Sequence, residues 1–160
     1  MPAASVTTTL PSMARVLLTG MSGVGKSTVL TAVATRGYQT VDTDYDGWEL
    51  PGAVWDEPRM DALLEEHPTV AVSGTVQNQG RFYDRFEHVI YLWAPLEVLL
   101  ERVRSRTNNP YGKTAEQRAD IARYVAEVEP LIRPSASLEL DGRRPIPTLA
   151  DRVERCLRAS

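Results

Sequence analysis

Residues 20–27 read GMSGVGKS and satisfy the pattern G-x-x-x-x-G-K-[ST]. This loop restricts the fold more than any other segment, because it works only between a buried strand and the start of a helix. Both flanks are present. Residues 15–19 (RVLLT) read as a short buried strand, and residues 28–34 (TVLTAVA) read as a helix with Leu30, Val33 and Ala34 inward and Gly37 as its stop. Gly20, Gly23 and Gly25, with Met21, Ser22 and Val24 between them, let successive backbone N–H groups converge on one anion, and the helix that opens at Thr28 adds its positive end. Lys26 is placed to reach the β- and γ-phosphates of a nucleoside triphosphate, and Ser27 to ligate Mg2+. A chance match in a chain of ordinary composition is on the order of one in two hundred.

The chain has 160 residues, of which 42% are hydrophobic, enough for one domain with a core over a central sheet. A net charge of -3 argues against nucleic-acid binding through a broad basic face, so a small-molecule partner is expected. The single cysteine, Cys156, excludes an internal disulfide and a cysteine-based zinc site; it reads as a packing residue in a reducing cytoplasm. Residues 1–12 are polar and Thr-rich, without a basic start or a long apolar run. They are expected to be a loose tail, neither signal peptide nor membrane span, ahead of one folded unit at 13–160. A monomer or weak homodimer in the cytoplasm is the expectation.

Further strands read at 38–41, 69–73, 88–93 and 137–140, and helices at 58–67, 95–106, 115–132 and 147–158. Leu96, Leu99, Leu100 and Val103 form one stripe of the second of these helices, and Thr114 with Gln117 forms a capping box for the third. Strands alternating with helices predict an α/β fold: a parallel sheet covered on both faces, with ligands at the carboxyl ends of its strands. His67 and His88, at a helix end and a strand start, lack metal-like spacing and read as structural.

Directly after the second strand comes V-D-T-D. In extended chain Asp42 and Asp44 point to the same side. Two carboxylates held close need a cation or a shared proton, and the Mg2+ of a bound ATP is the natural cation.

Over residues 14–158 the chain resembles the small P-loop kinases of the shikimate kinase and nucleoside monophosphate kinase group. The resemblance implies a three-layer sandwich with strand order 2-3-1-4-5 and a short lid. It implies ATP and Mg2+ as cofactors, with Asp42 near the metal and Asp44 at the acceptor hydroxyl. Residues 99–113 (LLERVRSRTNNPYGK) resemble the helix-to-lid junction, which implies Arg102 on adenine, Arg106 on the phosphates and Lys113 as a lid cation. Residues 130–133 (PLIR) resemble the region where Arg133 would contact an anionic group of the acceptor; Arg59 matches a second acceptor-binding arginine. Residues 140–145 (LDGRRP) resemble the loop along the adenine ring, which places Arg143 there.

The chain also departs from that group. Where shikimate kinases carry Gly-Gly-Gly after the third strand, this chain has Ser73-Gly74-Thr75, retaining only Gly74. Asn78, Gln79 and Arg81 follow where the acceptor is expected, and amides suit a hydroxyl-rich substrate or a base edge. Residues 82–86 (FYDRF) are expected to pack that loop. The leading expectation is a kinase moving the γ-phosphoryl of Mg-ATP to a small-molecule hydroxyl, with catalytic Lys26, Asp44 and Arg106. The alternatives are a nucleoside or nucleoside monophosphate kinase, and an ATP-binding or ATPase-like protein that transfers nothing. No N-K-x-D motif supports a GTPase, and TVAVSG offers no acidic pair for a motor ATPase.

Overall fold

Val16, Leu17 and Leu18 are each fully shielded from solvent, so the RVLLT strand must be covered on both faces. In the computed structural model, which describes residues 14–107 and 111–158, it is the central strand. This strand, β1 (Arg15–Thr19), runs parallel to β5 (Val70–Ser73) on one side and β6 (His88–Trp93) on the other. Next to β5 lies β2 (Thr40–Asp42), and next to β6 lies β7 (Leu138–Asp141), so the parallel sheet runs β2-β5-β1-β6-β7. Counting only these five strands along the chain, the order is 2-3-1-4-5. The expected tail at 1–12 and part of the expected lid, at 108–110, lie outside the described residues.

Side chains alternate along the strands and build two cores. Val16, Leu18, Ile90 and Leu92 pack with Val29 and Val33 of α1 (Lys26–Ala34) and with Leu149 and Val153 of α6 (Ile146–Arg158). Leu17, Val72 and Val89 face the other way, against Trp55, Met60, Leu64 and Phe82. Met60 and Leu64 belong to α2 (Glu57–Glu66), whose entry is fixed by Asp56: its carboxylate accepts the Arg59 backbone N–H at 3.2 Å. Phe82 lies in a 3₁₀ segment, Gln79–Arg85, which packs the loop after β5 as the FYDRF reading expects.

A two-stranded ribbon, β3 (Glu49–Leu50) with β4 (Val54–Trp55), follows β2 and has no counterpart in the sequence reading. Beyond β6 come α3 (Leu96–Ser105), α4 (Ala115–Glu127) and the short α5 (Glu129–Ile132). The capping box at Thr114 is half realised. Thr114 accepts the Gln117 N–H at 3.1 Å, but the Gln117 side chain turns to Gly112, accepting its N–H at 2.9 Å, and so ties the lid to α4. No helix among the described residues is long and apolar enough to cross a membrane.

Candidate active site

The loop between β1 and α1 wraps the carboxyl edge of the sheet. Gly25 is the N-cap of α1 with φ at 104°, a left-handed conformation that disfavours a side chain, and the helix starts at Lys26. The Lys26 ammonium donates to Gly20 O at 2.6 Å and to Met21 O at 3.3 Å, folding back over its own loop. Desolvation lowers its pKa; Asp44 and then Asp42 oppose that shift, and Arg106 adds to it. Thr75 locks the loop from the β5 side: its hydroxyl donates to Gly20 O at 2.6 Å and accepts the Gly20 N–H at 3.2 Å. Sequence reasoning missed Thr75, since nothing in its neighbourhood marks a threonine as a clamp.

The two aspartates of V-D-T-D divide their work across the end of β2: Asp42 is its last residue, whereas Asp44 lies in the turn that follows, closed by the Tyr45 N–H on Asp42 O at 3.2 Å, rather than in the extended chain expected. Asp42 Oδ2 accepts the Ser27 hydroxyl at 2.6 Å, while its Oδ1 accepts the Asp44 N–H at 3.1 Å. Thr43 between them turns inward, donating to Ser73 O at 2.8 Å and accepting the Trp55 indole N–H at 2.9 Å. Asp44 thereby faces the cleft. Its pKa is raised by desolvation; Lys26 opposes this, Asp42 adds to it, and Arg106 opposes it.

Arg106 donates to Tyr111 O at 2.7 Å, and its Nε is buried without a partner among the described residues. Arg102 spans two loops, donating to Val24 O at 3.0 Å and to Gly142 O at 2.9 Å, so it joins the phosphate loop to the turn after β7. Lys113 donates to Arg104 O at 2.6 Å and to Arg106 O, closing the lid onto the end of α3. Arg143 pairs with Asp141 at 2.8 Å and lies 5.3 Å from the Trp93 ring centre, holding the Asp141 carboxyl below its ordinary range. Gly23, Val24 and Thr28 complete the loop and the first helical turn, with Val24 buried and Thr28 exposed.

A cleft of about 800 Å3 opens beside this loop. Gly20, Met21, Ser22, Lys26, Asp44 and Gln79 line it, together with Glu49, Tyr111, Leu131 and others that the sequence did not single out. A smaller cavity of about 400 Å3 is lined by Asp151, Glu154, Arg155 and Arg158 of α6, none of them in the phosphate loop.

Several expected acceptor contacts fall elsewhere. Asn78 has its amide occupied by the β4 backbone, accepting the Trp55 N–H at 2.8 Å and donating to Trp55 O at 3.1 Å and to Glu57 at 3.0 Å. Arg81 is exposed and pairs with Glu57 at 3.2 Å. Arg133 is drawn off by Glu129 and Glu139, each at 2.8 Å, although the neighbouring Leu131 and Ile132 line the cleft. Arg59 donates to Asp46 O at 2.7 Å and stacks 3.8 Å above the Trp48 ring. Gly74 is buried: a Cβ there would stand 2.1 Å from Thr43 Oγ1. Gln79 lines the cleft, but its amide accepts the Val76 N–H at 2.8 Å and donates to Thr19 at 3.2 Å and Tyr83 at 2.9 Å.

A parallel sheet of this order, with a phosphate loop at its central strand, defines the P-loop nucleotide-binding fold. The AAA domain family matches residues 16–123. A shikimate kinase of Aromatoleum aromaticum is 31% identical over 151 residues, covering 81% of this chain and 85% of its own. A shikimate kinase of Nitrobacter winogradskyi is 33% identical over 137 residues, covering 72% of this chain and 64% of its own. Among solved structures, the shikimate kinase of Acinetobacter baumannii in complex with shikimate superposes with a TM-score of 0.66 at 23% identity, covering 92% of each chain. The chain belongs to the shikimate kinase-like family of small P-loop kinases: it is a nucleotide-binding small-molecule kinase.

Proposed function

We propose that the protein transfers the γ-phosphoryl group of Mg-ATP to a hydroxyl of a small acceptor bound in the cleft between the phosphate loop, the β3–β4 ribbon and α5. The observation that carries this reading is the placement of Asp44 at the cleft wall, in the turn that follows the Ser27–Asp42 contact and within electrostatic reach of Lys26 and Arg106. Phosphoryl transfer is mainly positioning and charge neutralisation. Lys26 exchanges its loop carbonyls for phosphate oxygens, and Arg106, whose Nε has no partner among the described residues, approaches the phosphates from the lid side. Ser27 Oγ and the Asp42 carboxylate would hold Mg2+ through the hard oxygens it prefers, and a bound ion would supply charge neutralisation. Asp44 accepts the acceptor's hydroxyl proton or orients that hydroxyl in line; partial desolvation, which raises its pKa, makes it the stronger base for that proton.

The test is ATP consumption with Mg2+ across polyols, sugars, nucleosides, nucleoside monophosphates, shikimate and gluconate, against an acceptor-free control. A phosphorylated product identified by mass spectrometry is expected. ATP hydrolysis that no acceptor accelerates would sink transfer in favour of an ATPase.

A further inference from the structure

We infer that the acceptor carries a cationic amino group beside its hydroxyls and that Glu49 is the residue that selects it; this rests on the kinase reading above. All eighteen lysines and arginines lie among the described residues. Only Lys26 among them lines the cleft, and it belongs to the phosphate loop. The arginines nearest the acceptor side are all engaged: Arg59 with Asp46 O and the Trp48 face, Arg81 with Glu57, Arg85 with Asp61, Arg133 with Glu129 and Glu139. An acceptor carboxylate would enter a cleft whose other lining charges are Asp44 and Glu49; the guanidinium still within electrostatic reach of Asp44, Arg106, is the one the kinase reading gives to the phosphates.

Glu49 is held where it can discriminate. It sits on β3 directly opposite Trp55, which is buried and bonded through its indole to Thr43. The ribbon is therefore anchored to the same strand end that presents Asp44. Glu49 has no ion-pair partner among the described residues, and its pKa is raised by desolvation and then by Asp44. Two like charges sharing a cleft are relieved by a cation. A metal ion is the poorer candidate, since no group of three or more His, Cys, Asp or Glu able to hold one occurs among the described residues. An ammonium needs only one or two carboxylates, and the tyrosine walls at Tyr83 and Tyr111 favour it further.

The experiment uses acceptor sets matched except for one group: glucosamine, glucose and gluconate; 2-amino-1,3-propanediol, glycerol and glycerate. Acceptor-dependent ADP formation is measured for wild type, Glu49→Gln and Glu49→Asp. The amine is expected to have the lowest KM of its set by at least about tenfold, the order of one charge-assisted hydrogen bond. Glu49→Gln should erase that preference, and Glu49→Asp should keep part of it. A preferred carboxylate, or an amine preference unchanged in Glu49→Gln, overturns the inference and leaves the kinase reading standing. No acceptor-dependent ADP from any of these compounds overturns the inference, and the wider acceptor panel above then decides the kinase reading.

Discussion

The Ser27 hydroxyl donates to Asp42 Oδ2 across 2.6 Å, which welds the first turn of α1 to the last residue of β2. Everything downstream of Asp42 inherits that registration. Thr43 must then turn into the core toward Trp55 and Ser73, and Asp44 must return to the side of the phosphate loop. The phosphate-binding and acceptor-activating groups are thus parts of one rigid corner, which suits a reaction in which small misplacements are costly.

Lys26→Ala should lower kcat by at least about a hundredfold, the scale of removing one charged donor to a developing transition state. The loop itself should survive, since Thr75 clamps Gly20 independently of the lysine. Steady-state kinetics with melting curves on the same samples check this; full activity in the variant would remove Lys26 from the phosphates.

Asp44→Asn should leave ATP affinity within a few-fold of wild type while lowering kcat by about 10²–10⁴, the usual contribution of a positioned acid–base group. Calorimetry for ATP and turnover for the acceptor separate the two effects. Equal loss of both would mean that Asp44 serves the nucleotide or the fold.

The parts of the site legible in the sequence are those coded by spacing. The phosphate loop brings its geometry with it, and residues 88–93 coincide with β6 because an apolar, β-branched run bounded by turns has few other ways to be buried. The read strand at 38–41 is displaced to Thr40–Asp42 because pairing with β5 starts later and Tyr38 instead reaches α6, donating to Glu154 at 2.8 Å. The acceptor side is less legible for a different reason. Asn78, Arg81 and Arg133 have suitable chemistry at suitable chain positions, but a sequence does not reveal which hydrogen-bonding groups are occupied by tertiary partners. Glu49 was overlooked because its neighbourhood reads as a surface turn, and only the β3–β4 ribbon brings it to the cleft.

Gly74→Ala should destabilise the fold by about 1–3 kcal/mol, the usual cost of overpacking. The new methyl would meet Thr43 Oγ1 at 2.1 Å and the Trp55 ring at 3.3 Å, displacing the hydroxyl that links the indole to Ser73 O. Thermal unfolding should show a Tm several degrees lower. An unchanged Tm would mean that the Thr43 contact yields without loss.

Glu49→Gln should raise stability at neutral pH, and the gain should vanish in acid. The folded pKa of Glu49 is raised above its ordinary 4.5, so between the two values the folded state binds more protons than the unfolded one and stability falls as pH rises. Whatever Glu49 contributes is therefore fully present below about pH 4.5 and lost as pH climbs through the folded value. Glutamine removes that loss, because it keeps the shape of the side chain and carries no charge beside Asp44. Melting wild type and variant in parallel from pH 4 to 8 measures the difference. A gap that widens with pH and then levels off is expected; a gap independent of pH would mean that the Glu49 carboxylate is as well solvated in the folded cleft as in the open chain.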